Sequence, residues 1–146
     1  MIEKPLKISP DTTVEQALKQ LKKDKSGYAV IVNDNGTFEG ILSAKILMKH
    51  LLPVSVNIND GSGVDVSVNA APGIAKRLKK VEALPVSNFM QRKVNFILPE
   101  SPTWEGISMI ITKGDPLIVV QDEDLKFLGL ITHASALDDL QKIEAS

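Results

Sequence analysis

Apolar positions along this 146-residue chain follow two alternating rhythms, one helical and one extended. In "SPDTTVEQALKQLKKD", residues 9–24, Val14, Ala17, Leu18 and Leu21 share one helical face behind cap-type residues Asp11, Thr12 and Thr13. The spacing predicts an amphipathic helix. After Gly27 the apolar run "YAVIV" stops at "NDNG", a hairpin turn sequence, and "TFEGIL" returns as a second strand. Ser43 then opens "SAKILMKHLL", a helix with Ile46, Leu47 and Leu51 on its apolar side. With "LKI" at 6–8 as a short first strand, the order is strand, helix, strand, strand, helix.

That order comes twice. "FIL" at 96–98, "SPTWEGISMIITKG", "DPLIVV", "KFLGLI" and "THASALDDLQKI" repeat it. "GILSAKILM" and "GLITHASAL" each run glycine, two aliphatics, a hydroxyl residue and a helical segment, and Gly40 and Gly129 stand 89 positions apart (129 − 40). Thr103-Trp104-Glu105 lies against Thr13-Val14-Glu15 at an offset of 90 (103 − 13), so a one-residue deletion in the next turn is expected. The chain reads as a duplication. Between the copies, "VSVNINDGSGVDVSVN" at 54–69 alternates apolar and polar residues on both sides of "DGSG" and predicts an inserted β-hairpin. "PGIAKRLKKVEAL" follows as a connecting helix with Pro72 near its start. The expected division is repeat one at 1–52, insert and connecting helix at 53–85, and repeat two at 86–146.

Composition narrows the function. A hydrophobic fraction of 43% supplies a core, and 17 basic against 18 acidic residues leave a net charge of −1 without a long run of either sign. The short "KRLKK" at 76–80 is a solvated helix face, so no nucleic-acid partner is expected. No apolar run approaches the ~18 residues of a membrane span, and no signal-peptide core follows Met1. A soluble, cytoplasmic protein without membrane contact is expected. The absence of cysteine removes thiolate catalysis and cysteine metal sites. His50 and His133 are the only imidazoles and have no third ligand at metal spacing. "NDNG" fails as a calcium loop, because Ile31 and Leu42 stand where acids are needed. "GSGVDV" has Val66 where a dinucleotide fingerprint needs its third glycine. No nucleophile, base and orienting group assemble, so the chain is not expected to be an enzyme.

The doubled pattern, with "SPDTTVEQAL", "YAVIVNDNGTFEGILS", "VSNFM" and "PLIVVQDEDLKFLGLIT", resembles the tandem cystathionine-beta-synthase (CBS) domain pair, here as a small stand-alone protein. The resemblance covers about residues 5–52 and 86–142. It implies an α+β fold of two β-α-β-β-α repeats related by a pseudo-twofold axis, with two clefts that commonly sense adenine nucleotides. It also implies regulation rather than catalysis, no required cofactor, a homodimer, and a protein partner that receives the signal.

For such a ligand, a hydroxyl at a strand-to-helix turn stands beside free backbone N–H groups at a helix N-terminus, which favour a phosphate. Ser43 and Thr132 are therefore the phosphate candidates, although plain helix capping accounts for both residues equally well. Lys45 and His133 can neutralise phosphate charge. The family's ribose-binding aspartate is replaced by Ile46 and Ser135, and serine alone can still bond a ribose, so the second cleft is the expected site. Tyr28, Leu98 and Leu117 fall where related proteins hold the base. A second reading stays open beside this one: a degenerate, ligand-free pair that serves as a dimerisation or protein-interaction scaffold.

Overall fold

The computed structural model describes residues 2–52 and 73–144, so the hairpin expected at 54–69 lies outside the described residues. The first repeat holds β1 (Leu6–Ile8), α1 (Val14–Leu21), β2 (Ala29–Val32), β3 (Phe38–Leu42) and α2 (Ala44–Leu51). A connecting helix α3 spans 73–82. The second repeat holds β4 (Asn95–Ile97), α4 (Thr103–Lys113), β5 (Leu117–Val120), β6 (Phe127–Ile131) and α5 (His133–Glu144).

Local chemistry sets the element ends. Thr13 caps α1 through a reciprocal pair in which its hydroxyl accepts the Gln16 N–H and the Gln16 side chain accepts the Thr13 N–H. In the "NDNG" turn, the Asn33 side-chain oxygen accepts the N–H groups of Asn35 and Thr37 at 2.9 and 3.0 Å, while Gly36 takes a positive φ of 82°. The equivalent turn of repeat two has Leu125 at φ 58°, a conformation that costs an ordinary side chain roughly 1–2 kcal/mol. It is held there by cross-repeat pairing: Leu125 accepts the Phe38 N–H at 2.9 Å, and Gly36 accepts the Phe127 N–H at 3.0 Å.

Each repeat forms a three-stranded sheet, β1-β2-β3 or β4-β5-β6, with its first pair parallel and its second antiparallel. β2 and β5 are the central strands. β5 is apolar at every position because both its faces are covered. Ile118 and Val120 join the core built on repeat one, whereas Leu117 and Val119 face a second core with Ile110 and Ala136. Leu130 of β6 also enters the first core, so the repeats share their interior.

The repeats also exchange backbone. Glu3, ahead of repeat one, pairs with Leu130 of repeat two through bonds of 2.7 and 2.9 Å. Gln91, ahead of repeat two, pairs with Ile41 of repeat one at 2.8 and 3.0 Å. The two links are counterparts under the duplication, and each completes the sheet of the other copy. Residue 3 thus lies with repeat one in sequence and with repeat two in space.

One expected alignment is corrected. Thr13 is the N-cap of α1 and Pro102 that of α4, an offset of 89 (102 − 13) rather than 90. The Thr-x-Glu match is a coincidence within two acidic first turns. The shift sits at the central strands, where β2 and β5 start 88 apart (117 − 29), and the turn before β6 restores 89. Among the described residues, no helix is long and apolar enough to cross a membrane.

Candidate functional site

At the end of β3, Ser43 leaves the strand in an extended conformation and caps α2, its hydroxyl accepting the Ile46 N–H at 3.2 Å. The matching step from β6 places Thr132 ahead of α5. There the cap is reciprocal: Thr132 Oγ1 accepts the Ser135 N–H at 3.1 Å, while Ser135 Oγ accepts the Thr132 N–H at 2.9 Å and reaches the Thr132 carbonyl at 3.2 Å. Ser43, Thr132 and Ser135 are the buried polar residues of the described chain. The Ser135 hydroxyl is therefore occupied in holding its own helix start.

A narrow cleft of about 120 Å³ opens at the α2 end, lined by Tyr28, Ser43, Lys45, Lys49, Gln91 and Asp115 among others. It brings together three residues expected from the sequence: Tyr28, Ser43 and Lys45. Ile46 is buried beside them, an aliphatic group where a diol would need a partner. A wider cleft of about 410 Å³ lies at the α5 end, lined by Glu3, Ala134, Ser135, Asp138, Asp139 and Lys142 with Ile2.

These clefts are counterparts with opposite electrostatics. At the offset of 89, Lys45 corresponds to Ala134 and Lys49 to Asp138, while the crossing residues are Gln91 in one and Glu3 in the other. Glu3 also carries a buried carboxylate oxygen, Oε2, with no hydrogen-bond partner among the described residues. The α2 cleft is basic and the α5 cleft is predominantly acidic.

Between them stands Asp115, which the sequence reading missed. Its Oδ2 accepts the His133 N–H at 3.0 Å and lies 2.8 Å from His133 Nδ1, while Oδ1 accepts the Tyr28 hydroxyl at 3.4 Å. The His133 imidazole is thus paired with a carboxylate at the start of α5. Burial, reinforced by the charge and hydrogen bond of Asp115, raises the Tyr28 phenol above its ordinary pKa of 10.0. A signal was present: aligning the central strands at 88 sets Asp115 opposite Gly27 (115 − 27), an acid with no counterpart in repeat one. Leu117 is fully buried in the second core, and Leu98 is exposed beyond β4. The proposed base-facing residues are therefore not gathered as side chains in one cleft. Among the described residues no cluster of metal-ligating side chains occurs, and His50 packs edge-on against Phe89.

Residues 1–53 match the CBS domain family model. Solved structures extend that match over both repeats. CBSX2 from Arabidopsis thaliana superposes over 99% of this chain and 94% of its own, at 19% identity and a TM-score of 0.71. The chain has the fold of a tandem CBS pair. CBSX2 in complex with AMP aligns over 98% of this chain and 95% of its own, at 20% identity and a TM-score of 0.67. Staphylococcus aureus OpuCA aligns over 97% of this chain and 96% of its own, at 17% identity and a TM-score of 0.65. No curated protein matches the sequence. In this fold the repeated glycine marks the crossing segments. A Cβ on Gly40 would fall 3.1 Å from the Gln91 carbonyl oxygen, and one on Gly129 only 2.7 Å from that of Glu3.

Proposed function

We propose that this CBS pair is a regulatory ligand-sensing module, which binds an adenine nucleotide of the AMP, ATP or cyclic di-AMP class between its repeats and signals to a partner protein. The observation that carries this reading is the pair of buried hydroxyls, Ser43 and Thr132, at the N-termini of α2 and α5 in a fold shared with an AMP complex. Ser43 and Thr132 are the candidate phosphate anchors, one at each cleft, with Lys45 and His133 as their neighbouring cationic groups, and Tyr28 lines the side of the α2 cleft where a nucleoside would lie, whereas Leu98 stands outside that cleft. Leu117 contributes backbone only, since its side chain belongs to the core. No cofactor and no catalytic step are required. Division at 1–52, 53–85 and 86–146 describes the repeats as sequence units, and the protein works in the cytoplasm as a homodimer.

The dimer contact is the outer face of α4 with α5, where Trp104, Ile111 and Leu137 are 71%, 75% and 59% exposed. α1 stands outside this proposed contact, because Ala17 is fully buried within one chain and Leu21 packs against its core.

A thermal-shift screen with AMP, ADP, ATP, cyclic di-AMP and S-adenosylmethionine tests the ligand reading. A ligand at ~100 times its dissociation constant adds ~2.7 kcal/mol, several degrees in Tm for a chain of this size. The second reading, a ligand-free scaffold, is favoured by Ile46 at the ribose position and by the commitment of Ser135 to its cap. No shift with any of these nucleotides would select it.

A further inference from the structure

We infer that Asp115 is a built-in anion that occupies the phosphate position of the second repeat, so that this CBS pair accepts a phosphate group in the α2 cleft alone. The inference rests on the proposed reading of the helix N-termini as phosphate anchors, and adds which of the two is open.

The start of a helix offers unpaired N–H groups and a positive dipole end, and a carboxylate satisfies both as a phosphate does. At α5 the His133 and Ser135 N–H groups are already taken. The His133 N–H donates to Asp115 Oδ2 at 3.0 Å, the His133 imidazole lies 2.8 Å from the same oxygen, and Thr132 and Ser135 bond each other. A phosphate arriving there has to displace a carboxylate from three partners, Tyr28 included, and then stand near Glu3, Asp138 and Asp139 with Lys142 as the compensating charge. At α2 the position is open in the opposite sense. The Ser43 hydroxyl accepts the Ile46 N–H and donates in no described contact, Lys45 and Lys49 line the cleft, and no carboxylate accepts an α2 N–H group in any described contact. Its ~120 Å³ is several times the ~10–15 Å³ that one water needs on the same measure, which is room for a phosphate group. Asp115 lines this cleft too, through Tyr28, so one carboxylate closes one site and borders the other. The cleft preference expected from Ser135 is thereby reversed.

Backbone amide resonances of the full chain, titrated with inorganic pyrophosphate, test this directly. The amides of Ala44 and Lys45 should saturate at a concentration at least tenfold below any that moves Ala134. In Asp115→Ala, Ala134 should become responsive, with at least a tenfold gain in apparent affinity at that cleft. Asp115→Asn serves in its place should the alanine variant lose its folded spectrum. Saturation of Ala134 in the unmodified protein at the concentration that saturates Ala44 overturns the inference. So does an Ala134 amide that stays silent in the folded variant. AMP in the same format separates the two readings: if AMP moves neither cleft while pyrophosphate divides them, the nucleotide reading fails and the role of Asp115 stands.

Discussion

Gly40 and Gly129 recur because each lies under a strand that arrives from the other repeat, and neither position has room for a side chain. At Gly129 the obstacle includes the Glu3 backbone, whereas at Gly40 the nearest atoms belong to the flexible Met90 side chain. Gly129→Ala should therefore cost about 1–3 kcal/mol, the usual range for overpacking, and Gly40→Ala less. Urea midpoints compare them, and equal losses would refute the distinction. Tyr28 offers a second test, because it is the single tyrosine in the chain. Its phenol is raised by burial and then by Asp115, so tyrosinate absorbance in the folded protein should rise at a higher pH than in denaturant. Below pH 10 both states keep the proton and the stabilisation is complete. Between 10 and the raised folded value only the unfolded chain releases it, so stability falls with rising pH, and Tyr28→Phe should flatten that loss. Coinciding folded and denatured titrations would rule out the burial. At this scale the hydroxyls were legible in sequence because a residue's cap role depends on neighbours three positions away. Asp115 was not, because its phenol partner is 87 residues distant and only the fold unites them.

The elements were largely legible because their signals are local. "NDNG" supplied a turn, Thr13 a cap, and the 3.6-residue spacing of Val14, Ala17, Leu18 and Leu21 a buried helix face. The crossing segments carry no such signal. Glu3 and Gln91 enter as single bridges with two backbone bonds each, too short for any apolar rhythm. The start of α4 was misaligned for a related reason, since its N-cap is Pro102, which has no side-chain cap bond to match that of Thr13. Removing residues 1–4 should expose what the crossing contributes. The Leu130 amide, bonded to the Glu3 carbonyl at 2.9 Å, should exchange faster with solvent, while the Ile41 amide, held by Gln91, should change less. Equal acceleration at both would mean that the link supports the whole chain rather than the second sheet.

For the whole molecule, Ile118, Val120 and Leu130 sit in the core of repeat one, so the two copies form one folding unit despite their separate sheets. Apolar surface left over at Trp104, Ile111 and Leu137 is the basis for the proposed dimer. Sedimentation at micromolar concentration should give twice 15.9 kDa, and Ile111→Glu should return it to 15.9 kDa. A single 15.9 kDa species in the unmodified protein would remove the dimer. The crossed backbone bears on how the chain is made. Glu3 leaves the ribosome before its partner Leu130, which follows 127 residues later (130 − 3), and Ile41 must wait for Gln91. Contacts of such separation close slowly. The first repeat consequently waits with an unpaired β3 edge until Gln91 has followed it, and with part of its core missing until Ile118, Val120 and Leu130 arrive, so this pair of repeats completes its fold only when nearly all of the second has left the tunnel.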